Sequence, residues 1–151
     1  MIYVDADACP VKDEVLRVAE RHGAPVVYVA NGGIRPVAHP LARVHLAPEG
    51  PDAADKWIAE RIGLGDVCVT SDVPLAARCI AAGGRALRPN GEAFSGANIG
   101  ATLAMRDLMA DLRAADPFRP GGGRPFGKAD RSRFLDALER EMRAAARDGK
   151  A

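Results

Sequence analysis

Residues 2–11 read Ile-Tyr-Val-Asp-Ala-Asp-Ala-Cys-Pro-Val, an apolar run that ends in two aspartates and a proline. A short apolar run of this kind is typical of a buried strand. Pro10 indicates the first turn of a helix, where a missing backbone N–H does no harm. Apolar residues then recur at helical spacing until Gly23, which ends the segment. A strand followed directly by a helix is the repeating unit of a parallel α/β sheet.

The same alternation of short apolar runs and helical segments continues along the chain. It gives the order β-α-β-β-α-β-α-β and predicts the α/β class, a three-layer domain with a mostly parallel central sheet and helices on both faces. Residues 85–87 are predicted as an edge strand. The predicted elements after the first helix are strands at 25–30, 43–46, 67–70 and 85–87, a helix that Asp52 caps and that reaches Ile62, and a helix from Pro74 to Gly83.

The last third of the chain has a different character. Residues 98–113 carry apolar side chains at helical spacing and predict a helix. Residues 117–133 are rich in glycine and proline and predict a loop, and residues 130–147 predict a C-terminal amphipathic helix. No linker separates two units of workable size, so residues 1–151 are predicted to form a single domain.

Composition excludes several classes of protein. The chain is 48% hydrophobic and 27% charged, as in soluble globular proteins, and its net charge of +1 predicts no global attraction to nucleic acid or membrane. No apolar run approaches the roughly 20 residues that span a bilayer, and no signal peptide is recognised. Three cysteines without C-x-x-C spacing favour reduced thiols. We therefore expect a cytoplasmic protein with no membrane partner, and the oligomeric state stays open.

Aspartates are concentrated where the predicted parallel strands end. Asp5 and Asp7 follow the first strand, and Asp72 follows the fourth. Asp52 and Asp55 occupy the first turn of the helix that leads to the fourth strand, on one helical face. Ligands of open parallel sheets bind outside the carboxyl ends of the strands. If the first and fourth strands are neighbours, these carboxylates surround one cleft.

A cluster of carboxylates predicts a divalent cation. Like charges so close raise each other's pKa, and a hard cation relieves the repulsion. Oxygen ligands with few histidines favour Mg²⁺ or Mn²⁺ over zinc or copper. Such a metal supports attack of water on phosphorus, so phosphodiester hydrolysis is the expected chemistry. The structural alternative is that Asp7, Asp52 and Asp72 each cap a helix or a turn.

Three blocks of the sequence, residues 5–11, 50–55 and 70–76, resemble the uncharacterised bacterial YaiI/YqxD family, and so do Asn98-Ile99, Arg106-Asp107 and Phe134. That family is similar to the PIN-like and NYN-type metal-dependent ribonucleases. The resemblance implies a PIN-like fold, a nuclease that prefers RNA to DNA, and metal ligation by Asp5, Asp72 and an acid of the second helix. It also implies supporting roles for Thr70 or Ser71.

Basic and polar side chains outside the acidic cluster predict contacts to a nucleic acid. The loop at 117–133 has five basic residues against one acid, on glycine-rich backbone that can approach phosphates, and Phe118 and Phe126 offer rings for stacking. Asn31 ends the second strand on the side of the acids, where it either binds substrate or forms an Asx turn. The predicted nucleic-acid contacts are Arg119, Arg124, Lys128, Arg131, Arg133 and, from the resemblance, Arg106.

Three alternatives stay open at this point. PIN nucleases carry a further acid that residues 25–46 lack, which favours a catalytically silent module that binds RNA or protein. Asp5 and Asp7 resemble the catalytic pair of haloacid-dehalogenase-type phosphatases, although the late lysine and paired aspartates of those enzymes have no clear counterpart. Cys9 precedes a helix that would stabilise a thiolate, but Arg17 lies too far along the helix for a cysteine phosphatase.

Overall fold

The structure is a computed structural model of the 151-residue chain. It describes residues 1–6, 9–31, 38–47, 53–95, 99 and 126–150. The elements of these residues are, in chain order, β1 (Ile2–Asp5), α1 (Lys12–His22), β2 (Val26–Ala30), β3 (Ala42–Leu46), α2 (Ala53–Arg61), β4 (Val67–Val69), α3 (Val73–Ala81), β5 (Arg85–Leu87), β6 (Ala93–Phe94) and α4 (Lys128–Lys150).

The strands form one sheet in the order β3-β2-β1-β4-β5-β6. The first five strands are parallel, and β6 is antiparallel to β5. From β1 the chain builds β2 and β3 on one side and then crosses to build β4 and β5 on the other. This reversal makes the crevice between β1 and β4 a topological switch point, where open α/β sheets bind ligands. The predicted α/β class is confirmed. The first and fourth strands are neighbours, which is the condition on which the expected acidic cleft depended.

Helices cover both faces of the sheet. Alternate residues of the strands point to opposite faces. Val4 and Val69 lie in one buried cluster with side chains of α1 and α4. Tyr3 and Cys68 lie in a second cluster with side chains of α2 and α3. Because both faces are buried, the central strands are almost wholly apolar, as parallel strands usually are.

The sequence prediction of an edge strand at 85–87 is wrong in one respect. The strand forms as β5, but β6 pairs with its outer side. Residues 88–91 make the turn, with the Gly91 N–H donating to the Arg88 carbonyl oxygen at 3.0 Å and Gly91 at φ +95°. Proline in the second position and glycine in the fourth are the residues that a type I turn favours. This Pro-Asn-Gly sequence is the signal that the prediction overlooked.

The C-terminal helix is longer than predicted and replaces the end of the predicted loop. It begins at Lys128 rather than 130 and ends at Lys150 rather than 147. The Asp130 carboxylate accepts a hydrogen bond from the Gly127 N–H at 2.9 Å and lies in the first turn, where a negative charge suits the helix dipole. The rest of the predicted loop, up to residue 125, and most of the helix predicted at 98–113 lie outside the described residues. None of the described helices is long and apolar enough to cross a membrane.

Candidate acidic site at the carboxyl ends of β1 and β4

Asp5 and Thr70 lie side by side at the switch point. Asp5 is the last residue of β1, and Thr70 directly follows β4, its parallel neighbour. The side chains of Asp5 and Tyr3 share the face that α2 and α3 cover, because residues two apart on a strand point the same way. The Thr70 hydroxyl donates a hydrogen bond to Asp5 Oδ2 at 3.0 Å. This hydrogen bond therefore links the carboxylate at the end of β1 to the residue that follows β4.

Thr70 also orders the chain that follows it. Its side chain is only 1% exposed, and its hydroxyl oxygen accepts a hydrogen bond from the Asp72 N–H at 3.0 Å. Its own N–H donates to the Leu87 carbonyl oxygen at 3.0 Å, which extends the pairing of β4 with β5. A hydroxyl that donates to one partner and accepts from another has a fixed orientation. From one buried position, the Thr70 hydroxyl is therefore hydrogen-bonded both to the Asp5 carboxylate and to the backbone N–H of Asp72.

Asp72 is the N-cap of α3. Its Oδ1 accepts a hydrogen bond from the Leu75 N–H at 2.9 Å, and its backbone is extended, as helix caps usually are. The capping role that the sequence offered as a structural alternative is thus present. It does not exclude a second role, because a carboxylate has two oxygens and Oδ1 serves the cap. Asp72 is half-buried at the same end of the sheet as Asp5.

Asp55 brings a further carboxylate to this side of the sheet. It lies half-buried in the first turn of α2, the helix that packs on the Tyr3 face. The charge of Asp55 acts on the buried thiol of Cys68. The pKa of Cys68 is raised well above its usual value by a hydrogen bond with Cys79, by burial, and by negative charges that include Asp5 and Asp55. The charges of Asp5 and Asp55 thus both contribute to the raised pKa of this thiol, after the Cys79 hydrogen bond and burial.

Two further predicted residues lie at the same end of the sheet. Asn31 directly follows β2. Val29 of β2 pairs with Asp5, so Asn31 lies two residues further along the chain than the residue beside Asp5. Ser71 lies between Thr70 and Asp72, and its side chain is exposed, as is that of Asn31. Asp7 and Asp52 lie outside the described residues.

The described acids do not make a compact metal cage by themselves. Among residues 1–6, 9–31, 38–47, 53–95, 99 and 126–150, no three histidine, cysteine or acidic side chains are close enough together to hold a metal ion. Carboxylate oxygens are nevertheless the donors that Mg²⁺ and Mn²⁺ prefer. The chemistry of the donors fits such a cation. The other two predicted ligands, Asp7 and Asp52, lie outside the described residues.

Three of the five basic residues predicted for the loop at 117–133 belong instead to the first turns of α4, namely Lys128, Arg131 and Arg133. Arg131 donates to the Pro10 carbonyl oxygen at 2.7 Å and to Glu14 at 3.1 Å, so it fastens α4 to the start of α1. Arg133 pairs with Asp130. Lys128 is exposed at the start of the helix. Arg106, Arg119 and Arg124 lie outside the described residues.

Cys9 does not have the environment of a reactive thiol. It is buried, and burial raises the pKa of its thiol above the usual value, although a backbone hydrogen bond involving Val11 acts in the opposite direction. The helix begins at Lys12, three residues later. The prediction that a helix N-terminus stabilises the Cys9 thiolate is therefore wrong, and the catalytic-cysteine alternative loses its support.

Arg88 is a functional candidate that the sequence analysis missed. It follows β5 directly and lines a cavity of about 220 Å³ together with Ser71. The rule that selected Asp5 and Asp72, a polar residue just after a parallel strand, would also have selected Arg88.

Replacing Thr70 by valine tests whether its hydroxyl orders the site. The variant Thr70→Val keeps the shape of the side chain but leaves Asp5 and the Asp72 N–H without this partner. An unsatisfied buried polar group costs about 1–3 kcal/mol, so the free energy of unfolding should fall by that amount in urea denaturation. Thr70→Ser retains the hydroxyl and should lose clearly less. A loss in Thr70→Val no larger than the loss in Thr70→Ser would contradict the claim that the hydrogen bonds of the hydroxyl are its main contribution.

Fold and site together define a class of protein: an α/β protein with a mostly parallel sheet and carboxylates at its topological switch point. The model of the family described as "Uncharacterized BCR, YaiI/YqxD family" matches residues 3–144. The chain belongs to this family.

Relatives match over almost the whole chain. A UPF0178 protein of Cereibacter sphaeroides is 70% identical over 145 residues, which is 96% of this chain and 90% of that protein. One of Ruegeria pomeroyi is 65% identical, with 97% and 96% of the two chains covered. One of Rhodopseudomonas palustris is 58% identical, with 97% and 88% covered. No solved structure matches the chain.

Proposed function

We propose that this protein is a Mg²⁺- or Mn²⁺-dependent nuclease that hydrolyses phosphodiesters, with RNA as the preferred substrate. The observation that carries the proposal is the Thr70 hydroxyl, which holds Asp5 of β1 and the backbone of Asp72 after β4 at one point of the switch crevice. Asp55, in the first turn of α2, is a further acid at this end of the sheet, and Asp7 and Asp52 are the predicted ligands that would complete the set. The resemblance to PIN-like ribonucleases supports RNA as the substrate.

The residues proposed to hold the cation are Asp5, Asp7, Asp52, Asp55 and Asp72. A bound cation supplies an activated water and stabilises the charge that develops on the phosphate. Hydrolysis breaks one phosphorus–oxygen bond, adds one water, and leaves a phosphomonoester and a free hydroxyl. The contribution of the chain is to hold charge in place: Thr70 orients Asp5, and the N-cap hydrogen bond orients Asp72. Groups fixed before substrate arrives need little reorganisation during the reaction.

A catalytically silent module that binds RNA is the second candidate, and one observation favours it. Asp72 already serves the fold as the cap of α3, so its presence does not require catalysis. The absence of an acid from residues 25–46 points the same way. The two candidates differ in one respect that an assay measures, because the silent module binds RNA without cleaving it.

The assay uses end-labelled single-stranded RNA, structured RNA and DNA, each with Mn²⁺, Mg²⁺ or EDTA. We expect cleavage with metal, no cleavage with EDTA, and faster cleavage of RNA than of DNA. Binding without cleavage would favour the silent module. Turnover of phosphate monoesters in place of RNA would favour the phosphatase alternative that uses Asp5 and Asp7.

Two substitutions of Asp72 separate its capping role from its charge. Asparagine caps helices as well as aspartate, so Asp72→Asn should keep the melting temperature but lose at least about tenfold in metal-dependent cleavage. Asp72→Ala removes both the cap and the charge, so it should lose cleavage and also about 1 kcal/mol of the free energy of unfolding. Full cleavage activity in Asp72→Asn would show that the carboxylate is a cap only.

A further inference from the structure

A cavity of about 220 Å³ opens beside the acidic site. Ser71 is part of its wall, and Ser71 is the residue between Thr70 and Asp72. The cavity therefore adjoins the segment after β4 that carries Thr70 and Asp72. Its described lining consists of Pro10, Ser71, Arg88, Pro89, Asn90 and Phe126.

Arg88 is the one charged residue of this described lining. The turn after β5 fixes its backbone, because its N–H donates to the Glu92 carbonyl oxygen at 2.8 Å. The centre of its guanidinium group lies 4.9 Å from the centroid of the Phe94 ring, which supports the side chain from one side. The turn therefore places a positively charged residue in the wall of the cavity.

The charge of Arg88 is only weakly neutralised within the described residues. Its ion pair with Glu92 has an N–O distance of 3.7 Å, and the Glu92 side chain is 72% exposed. An exposed pair of this kind contributes little, since water screens it and both side chains keep their freedom. Arg88 can therefore turn to an anion in the cavity without a large loss.

The ligand that fits these walls is a phosphate group with its sugar. A guanidinium binds phosphate through two parallel N–H donors, and Ser71 and Asn90 add neutral polar groups around it. A volume of about 220 Å³ equals about seven waters at roughly 30 Å³ each, enough for a phosphate and part of a ribose but not for a duplex. The ring of Phe126 offers an apolar surface to the sugar or base.

A larger cavity of about 750 Å³ continues from this one. Asn90 and Phe126 line both. The larger cavity runs between the turn at Gly91 and the first turns of α4, with Arg133 among its lining residues. The acids Glu92, Asp130 and Asp136 also line this larger cavity, against Arg133 and Arg140, so the phosphate-binding charge is confined to the Arg88 cavity.

We infer that the Arg88 cavity is a subsite for a phosphodiester of the substrate strand, next to the phosphodiester at Asp5. The inference rests on the proposed function, since it names how the same site holds a nucleic-acid strand. Arg88 binds the neighbouring phosphate, Ser71 and Asn90 surround it, and the strand leaves across Phe126.

The test measures binding without cleavage. A fluorescently labelled single-stranded RNA is titrated with protein in EDTA, and anisotropy is followed for the native chain, Arg88→Gln, Arg88→Lys and Arg78→Gln. Arg78 is exposed in the last turn of α3, so its variant matches the change in charge away from the cavity. We expect Arg88→Gln to weaken binding about tenfold or more, Arg88→Lys to weaken it less, and Arg78→Gln to leave it unchanged.

A second variant guards against misfolding of the first. Ser71 is exposed, so Ser71→Asp should fold normally, and its negative charge should repel the phosphate and weaken binding at least as much as Arg88→Gln. Native affinity in both Arg88→Gln and Ser71→Asp would overturn the subsite, and so would a native chain that does not bind RNA. Arg88-dependent binding without cleavage in Mn²⁺ would instead overturn only the nuclease. Cleavage with Arg88-independent binding would overturn only the subsite.

Discussion

The variant Asp5→Asn should lose at least about 100-fold of the metal-dependent cleavage of RNA while its melting temperature stays at the native value or rises. Substituting a residue that only hydrogen-bonds to a metal ligand already lowers metal affinity or activity by about 10–100-fold, and substituting a direct ligand lowers it more. The fold should tolerate the change, because the asparagine oxygen can still accept the hydrogen bond that the Thr70 hydroxyl donates. Loss of one of several neighbouring negative charges also relieves repulsion in the absence of metal.

The matched control for Asp5→Asn is Glu60→Gln. It makes the same chemical change at an exposed residue near the end of α2, the helix that carries Asp55 in its first turn. Cleavage and melting temperature should both stay native in Glu60→Gln. Equal cleavage by the native chain and Asp5→Asn would mean that the activity comes from elsewhere on the chain or from a contaminant.

The variant Phe134→Ala should lose about 3–5 kcal/mol of the free energy of unfolding. The Phe134 side chain is 0% exposed and lies in the buried cluster that joins α4 to Val4 and Val69 of the sheet. Its removal leaves a cavity that the neighbouring strands cannot fill without breaking their pairing. Urea denaturation followed by circular dichroism measures the loss.

The control for Phe134→Ala is Leu46→Ala. Leu46 is 61% exposed on β3, so its truncation should change stability by less than about 0.5 kcal/mol. A loss below about 1 kcal/mol in Phe134→Ala would contradict the packing of α4 on the sheet. It would also remove the basis for the contact of Arg131 with Pro10, which depends on that packing.

Much of the fold could be predicted because parallel strands buried on both faces leave a strong local signal. The apolar runs that became β1, β2 and β4 are short, uninterrupted and followed by turn residues. A two-residue strand leaves no such signal. β6 consists of Ala93 and Phe94 alone, and only the turn before it could have indicated it.

The position of Asp5 beside the end of β4 was predictable for the same reason, since the ends of neighbouring parallel strands meet at one edge of a sheet. Thr70, which is 65 residues from Asp5 in sequence and donates a hydrogen bond to it, was indicated only by the family resemblance. The role of Arg131 was not predictable in this way. Its contact with Pro10 spans 121 residues and depends on how α1 and α4 pack side by side, which no local pattern encodes.

Arg88 could have been predicted by the same rule for strand ends, since it directly follows β5. The Pro-Asn-Gly turn after it was the local signal that a further strand, β6, covers the outer side of β5. That Arg88 lines a cavity together with Ser71 and Phe126 depends on long-range packing, which no local pattern encodes.

The central claim is that Asp5 takes part in a divalent-cation site between β1 and β4, and Mn²⁺ titration followed by ¹⁵N NMR tests it most directly. Paramagnetic Mn²⁺ broadens the signals of amides close to it. At substoichiometric Mn²⁺ we expect the amides of Thr70, Ser71 and Asp72 to broaden first in the native chain and to stay sharp in Asp5→Asn. Broadening that is the same in both proteins, or no selective broadening at millimolar Mn²⁺, would contradict the claim.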